Sequence, residues 1–388
     1  MKKRPSIPDY EYVERLKRTQ KLLNQTDLDV LLVNSNEADF ANVRYFSNYW
    51  PIFEIAGVLI PRQGTPSLLI GPESETFARD RSKIDHIYLL AEYRESADPS
   101  YPGLELSTFA DVFKEAGVPN PKRIGIGGSL VTTYPVIQSL WSSFPDAELV
   151  PSDQIMVALR SIKSEAEIAC LREAFRIAEL AMNQVLDQIH PGMTELQVVG
   201  IVQQAIYTHG AEYEGMPQYV LSGKNTTHAI SRPTHKLIES GELIQLNLSA
   251  RVDGYSSGVG RPVFMGKMPG KIRDTVQFGL EAHKLVASWL KSGVIASDIA
   301  KRYHNYFVDQ GRKDQFLYGP CHGLGMIEVE PPWMEIDSDY SLQRNMTFQI
   351  DTFVQDIDFG LRWENGVRIL DSGVDAFSNQ RMEIIEIA

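Results

Sequence analysis

Cysteine is scarce: Cys170 and Cys321 are the only two in 388 residues. Two thiols are too few for a disulfide framework or a structural zinc site, and they fit a reducing compartment. No apolar run approaches the ~18 residues a membrane span needs. The basic start MKKRPSIPDYEYVERLKRTQ has no apolar stretch behind it, so it does not read as a secretory signal. Positive charge is in deficit, with 38 Lys and Arg against 50 Asp and Glu and a net charge of −12. That balance disfavours nucleic acid or an anionic membrane as a partner. Internal repeats and low-complexity tracts are missing as well. The expectation is a soluble, cytoplasmic protein with a small-molecule substrate.

What is present is globular. Hydrophobic residues make up 43% of the chain and aromatics 10%, which excludes wholesale disorder. At ~150 residues per domain the length suggests about two domains. The first ~150 residues alternate helix and strand signals. Tyr10 to Gln25 and Thr108 to Ala116 carry helical spacing, as does Tyr134 to Ser143. Apolar runs at 30–33, 55–61, 67–71, 87–90 and 123–127 read as strands, the second and third joined by the turn Arg62-Gln63-Gly64-Thr65. Such alternation predicts an α/β (α+β) layer.

A boundary falls near residue 160, giving an amino-terminal domain over 1–155 and a catalytic domain over 160–388. Ser164-Glu165-Ala166-Glu167 has the form of a capping box opening a long helix to about Ile189, stopped by Pro191-Gly192. Thr194 starts a second helix that ends near Gly210. Beyond Gly241 the chain turns β-rich, with helices around 274–292 and 296–310.

From Leu159-Arg160-Ser161-Ile162-Lys163-Ser164 onward the sequence resembles the Xaa-Pro peptidase and creatinase family, the pita-bread hydrolases. Four further segments carry the resemblance: Ser222-Gly223-Lys224-Asn225 with Arg232-Pro233-Thr234, Asp253-Gly254-Tyr255-Ser256-Ser257, Cys321-His322-Gly323-Leu324-Gly325, and Gly360-Leu361-Arg362-Trp363-Glu364. The first 150 residues look like the family's amino-terminal domain, including Asn42-Val43-Arg44-Tyr45-Phe46. The resemblance implies a creatinase-type domain followed by a pita-bread domain, and a homodimer whose sites use both subunits.

Peptidases of this family hold two metal ions with Asp, Asp, His, Glu and Glu. Carried over one position at a time, that set is broken here. The Asp positions are Asn247 and Gly258; the remaining three are His322, Asp351 and Glu364. The second catalytic His is Val329. The His expected between Asn225 and Arg232 is Ile230, with His228 two residues earlier.

The remnant points to C–N bond hydrolysis in a small polar, nitrogen-rich metabolite without a dinuclear centre. It resembles the metal-free members creatinase and ectoine hydrolase, in which acidic residues bind the cationic substrate. On this reading no metal is needed. His322, His228, Asp351 and Glu364 are the catalytic candidates. Arg232, Tyr255, Arg261, Glu328 and Glu330 are the substrate-binding ones, Glu328 and Glu330 being expected on one face of a strand that ends at Pro331-Pro332. Gly260 is expected to carve back the pocket wall and make room for a bulkier ligand. Trp363 is expected to fill the core. One alternative is a peptidase for Xaa-Pro substrates with a single Zn, Mn or Fe ion on His322, Asp351 and Glu364. The other is an inactive binding protein.

Overall fold

A computed structural model describes residues 4–387 as two compact units, one spanning 7–160 and the other residues 4–6 with 161–387. The first unit runs α1 (Asp9–Leu23), β1 (Val30–Ser35), α2 (Ala41–Ser47), β2 (Ala56–Pro61), β3 (Ser67–Ile70), α3 (Glu75–Arg81), β4 (Ile87–Leu89), α4 (Phe109–Glu115), β5 (Arg123–Gly127), α5 (Tyr134–Ser143), β6 (Glu148–Pro151) and α6 (Asp153–Ser161). Its mixed sheet has the order β4-β3-β2-β1-β5-β6. Continuous apolar runs such as Val30–Val33 are buried on both faces, as central strands require. Val30, Leu32, Leu59, Leu69, Phe109 and Phe113 anchor its core.

The second unit opens with α7 (Glu165–Gln188) and α8 (Glu195–Thr208), then β7 (Tyr219–Ser222), β8 (Leu243–Leu248), β9 (Arg251–Val252), β10 (Tyr255–Ser256) and β11 (Val259–Met265). It continues through α9 (Gly270–Trp289), α10 (Ala296–Asp309), β12 (Cys321–Gly323), β13 (Glu330–Trp333), β14 (Thr347–Gln355), β15 (Gly360–Leu370), β16 (Gly373–Ala376) and β17 (Ile385–Ile387). Both long amino-terminal helices start at full capping boxes, Ser164 with Glu167 and Thr194 with Gln197. A nine-stranded sheet carries the order β13-β12-β14-β15-β11-β8-β7, with β16 beside β15 and β17 beside β11. Val276, Leu280 and Val286 of α9 and Phe307 of α10 belong to one core with Phe348, Ile350, Val354, Leu361 and Trp363 of β14 and β15. The pattern of buried α/β layers is that of a mixed α/β chain.

One strand departs from expectation. β13 contains Pro331 and Pro332 rather than ending before them. It lies at the end of the sheet order, where a missing N–H leaves no ladder bond unmade. No helix among the described residues is long and apolar enough to cross a membrane.

Candidate active site

Strand register assembles the site. Gly260 on β11 pairs with Asn247 on β8 and with Glu364 on β15, and Glu364 pairs with Asp351 on β14. These four residues form one row across the sheet. β12 brings His322 opposite Gln349 of β14. Because side chains alternate faces, Arg362 and Glu364 share this face while Leu361 and Trp363 enter the core. Trp363 Nε1 donates to the Val276 carbonyl at 3.0 Å, which fixes it as a core residue.

Two glycines are dictated by what stands above them. A Cβ at Gly260 would lie 2.6 Å from Glu364 Cβ and 2.7 Å from Asn247 Nδ2. The space over Gly260 is therefore filled rather than carved back, contrary to expectation. Asn247 crosses it and donates from Nδ2 to Glu364 Oε2. Gln245 Nε2 donates to Asn247 Oδ1 at 2.6 Å, so the amide's NH2 end faces the carboxylate. A Cβ at Gly258 would lie 2.7 Å from Gln349 Nε2 and 2.8 Å from Glu328 Oε1.

Glu328 enters from the loop between β12 and β13. His322, Glu328 and Glu364 each present one donor atom, all within 4.8 Å of one another, and all three side chains are buried. Glu328 Oε1 has no hydrogen-bond partner among the described residues. His322 Nδ1 lies 3.0 Å from the Gly323 carbonyl. A carbonyl only accepts, so Nδ1 carries the proton and Nε2 keeps its lone pair. Nε2 is 4.0 Å from Glu364 Oε1.

Asp351 is held differently. Tyr318 donates its hydroxyl to Oδ2 at 2.8 Å, and Arg362 Nε stands 2.9 Å from Oδ1. The Arg362–Asp351 contact is an ion pair without an aligned hydrogen bond, since neither atom finds a hydrogen-bond partner. Arg362 Nη2 donates to the Tyr318 hydroxyl at 2.7 Å and to the Ala229 carbonyl at 2.9 Å.

Burial governs the charges. It lowers the pKa of His322, against the pull of Asp351, so the imidazole is neutral. It raises Glu328 well above the carboxylate range, with Glu364 and Asp351 adding repulsion. Glu364 is raised by burial and by Asp351, against Arg362 and Asn247. Without a cation, the Glu328–Glu364 pair holds a proton between them. Burial works against the charge of Arg362, but Asp351, Tyr318 and Glu364 outweigh it and raise its pKa well above the usual value.

The expected site residues thus divide. His322, Glu328 and Glu364 come together, with Asp351 beside them on the row. Glu330 does not join Glu328: its Oε1 accepts from Lys163 Nζ at 2.9 Å in a buried ion pair. Glu328 precedes the strand that Glu330 begins, so the alternation argument does not apply to the two. Tyr255 donates its hydroxyl to Glu167 on α7 at 2.5 Å. Arg261 lies on the opposite face of β11 from Gly260 and donates to the carbonyls of Gly260, Glu364 and Gln380. His228 and Arg232 are exposed on a loop whose Ala229 carbonyl meets Arg362.

Sequence reading missed Glu195, the first residue of α8. Its buried carboxylate accepts from Ser222 N, Ser222 Oγ, Asn225 Nδ2, Thr234 N and Thr234 Oγ1 at 2.7–3.1 Å. One acid thus ties together the two halves of the 222–234 motif. An acid inside a capped helix start looks like ordinary dipole compensation, so no signal marked it out. Tyr318 was missed too; it lies in no motif.

A pair of metal ions does not fit these residues. Asn247 is neutral and donates to Glu364, position 258 has no side chain, and Asp351 is already neutralised by Arg362. One ion fits better. A neutral imidazole and two carboxylates, one with an unpartnered buried oxygen, form a donor set suited to a borderline or hard divalent cation.

Residues 169–372 match Metallopeptidase family M24, and residues 15–162 match the Creatinase/Prolidase N-terminal domain. The uncharacterized peptidase YqhT of Bacillus subtilis is 26% identical over 380 residues, covering 96% of this chain and 99% of its own. A Xaa-Pro dipeptidase of Pyrococcus furiosus is 24% identical over 374 residues, with coverage of 96% and 99%. Among solved structures, an X-Pro aminopeptidase from Thermotoga maritima superposes with a TM-score of 0.82 at 22% identity, covering 96% of this chain and 99% of its own. That last likeness speaks to the fold. The M24 match spans more than half of the chain, and the chain belongs to metallopeptidase family M24, an enzyme of that C–N hydrolase family.

Proposed function

We propose that this enzyme hydrolyses a C–N bond, in an amidine, guanidino compound or amide, of a small polar substrate, and that it does so without a pair of metal ions. The observation that carries this reading is the broken row: Asn247 donates to Glu364 where a second acid would be needed, and Gly258 offers nothing. The cup that remains is closed and acidic. His322, Glu328 and Glu364 are each 1–2% exposed, which favours a small ligand over a polypeptide.

The residues divide the work. The cup holds the attacking water between the His322 lone pair and the two carboxyl groups. The Asp351–Arg362–Tyr318 group, whose hydrogen bonds and ion pair are already made, supplies fixed dipoles beside the reacting centre. A single divalent ion on His322, Glu328 and Glu364 supplies, when bound, Lewis-acid polarisation and a more acidic water.

A second reading needs no ion, and the neutral Asn247 standing against Glu364 with no acid at position 258 favours it. His322 then takes a proton from water, the oxygen adds to an already electrophilic amidine carbon, and the carboxyl pair returns a proton to the leaving nitrogen. The relatives named Xaa-Pro dipeptidase make proline dipeptides the first amides to assay.

The test is turnover of amidines, guanidino compounds, simple amides and Xaa-Pro dipeptides, each with native and with chelated protein. Turnover of a small substrate is expected, abolished in His322→Ala. Failure across the whole panel would make the chain a binding protein and overturn the proposal.

A further inference from the structure

We propose that Glu328 is a relocated metal ligand, completing with His322 and Glu364 a site for one divalent cation. The inference deepens the reading of the cup given above and rests on it. Three observations converge on this loop residue. Its Oε1 is buried and accepts no hydrogen bond among the described residues, and its carboxyl group brings a donor atom within 4.8 Å of those of His322 and Glu364. A carboxylate left in that state is costly unless a cation or a donor meets it. Gly258 lacks the Cβ that would stand 2.8 Å from that same oxygen, so the glycine is what admits Glu328.

The neighbours are arranged as an outer shell around a cation. Gly323 fixes the His322 tautomer through Nδ1 and leaves Nε2 free. Asn247 occupies Glu364 Oε2, which leaves Oε1, 4.0 Å from His322 Nε2, for the ion. Atoms on a coordination shell of ~2.1 Å radius lie roughly 3–4 Å apart. The three donors, within 4.8 Å of one another, close onto an ion with small side-chain shifts. Two ionised carboxylates and a neutral imidazole balance two positive charges. Asp351 stays outside this set because Tyr318 and Arg362 occupy its oxygens. The imidazole and carboxylate mixture suits Zn, Mn or Fe.

The experiment uses the full chain stripped of metal. Zn2+ binding is measured by calorimetry, Co2+ binding by visible absorption, and the thermal midpoint is followed with and without Zn2+. Wild type is expected to bind one ion per chain with an upward thermal shift. Glu328→Gln should fold with the metal-free midpoint of wild type, lose the shift and weaken binding by about 100-fold or more, since even outer-shell losses cost 10–100-fold. Glu328→Asp, which keeps the charge on a shorter stem, should recover part of the affinity. Equal binding by wild type and Glu328→Gln overturns the inference, as does a wild type that binds no ion or two. Turnover by a wild-type protein that binds no ion defeats the inference and leaves the proposed hydrolysis standing. One tightly bound ion with no turnover on the panel does the reverse.

Discussion

Arg362 and Asp351 are diagonal neighbours on β15 and β14, with Arg362 Nε 2.9 Å from Asp351 Oδ1 inside a buried face. The guanidinium therefore neutralises an acid that would otherwise face Glu364 unpaired. Arg362→Ala should cost about 3–5 kcal/mol, because it leaves a buried charge uncompensated. Urea unfolding measures this. A loss under ~1 kcal/mol, the range of a surface pair, would remove Arg362 from its role as the site's permanent cation.

Gly258 and Glu328 are coupled by sterics. Gly258→Ala should destabilise by about 1–3 kcal/mol through overpacking against Glu328 and Gln349. Glu328→Ala should remove most of that penalty. A double-mutant cycle checks it, and additive losses would show that the two positions do not share space.

Glu195 should prove structural rather than chemical. Glu195→Ala strands donors from Ser222, Asn225 and Thr234. The expected loss is at least about 2–3 kcal/mol, with hydrogen exchange accelerating across 222–234. Protection unchanged in that segment would count against the organising role.

His283 gives the stability a defined pH dependence. Burial, aided by Arg261 and Lys284, lowers its pKa from 6.5 to about 3. The ring is neutral when folded and takes up a proton on unfolding below 6.5. Its contribution is complete above pH 6.5 and is lost as pH falls toward 3, at up to ~1.4 kcal/mol per pH unit. His283→Gln should flatten the unfolding free energy across that window. An unaltered slope would mean that His283 titrates in the folded chain.

Much of this was legible in the residues. Alternating runs marked most strands of the first unit, and the Ser164 box marked the start of α7. The motifs placed His322, Asp351 and Glu364 on neighbouring strands. Register could not be read. Tyr255 and Arg261 lie near motif residues in sequence, but strand alternation and the approach of α7 turn them to other partners. Glu330 looked like the twin of Glu328 until the strand proved to begin at 330. The filling of the space over Gly260 was invisible because it depends on Gln245 aiming Asn247 across two strands. Loss of a side chain in sequence does not reveal which distant residue moves into the gap.

Lys163 precedes the cap of α7, and its ammonium meets Glu330 two positions after Glu328, both side chains being 2–3% exposed. The loop that delivers Glu328 is thus moored by a charge pair that solvent does not reach. Dissolved ions screen attractions at the protein surface within about 10 Å at 0.1 M, but act far less on buried partners. The cup should keep its shape from dilute buffer to strong brine, and its affinity should follow pH rather than salinity.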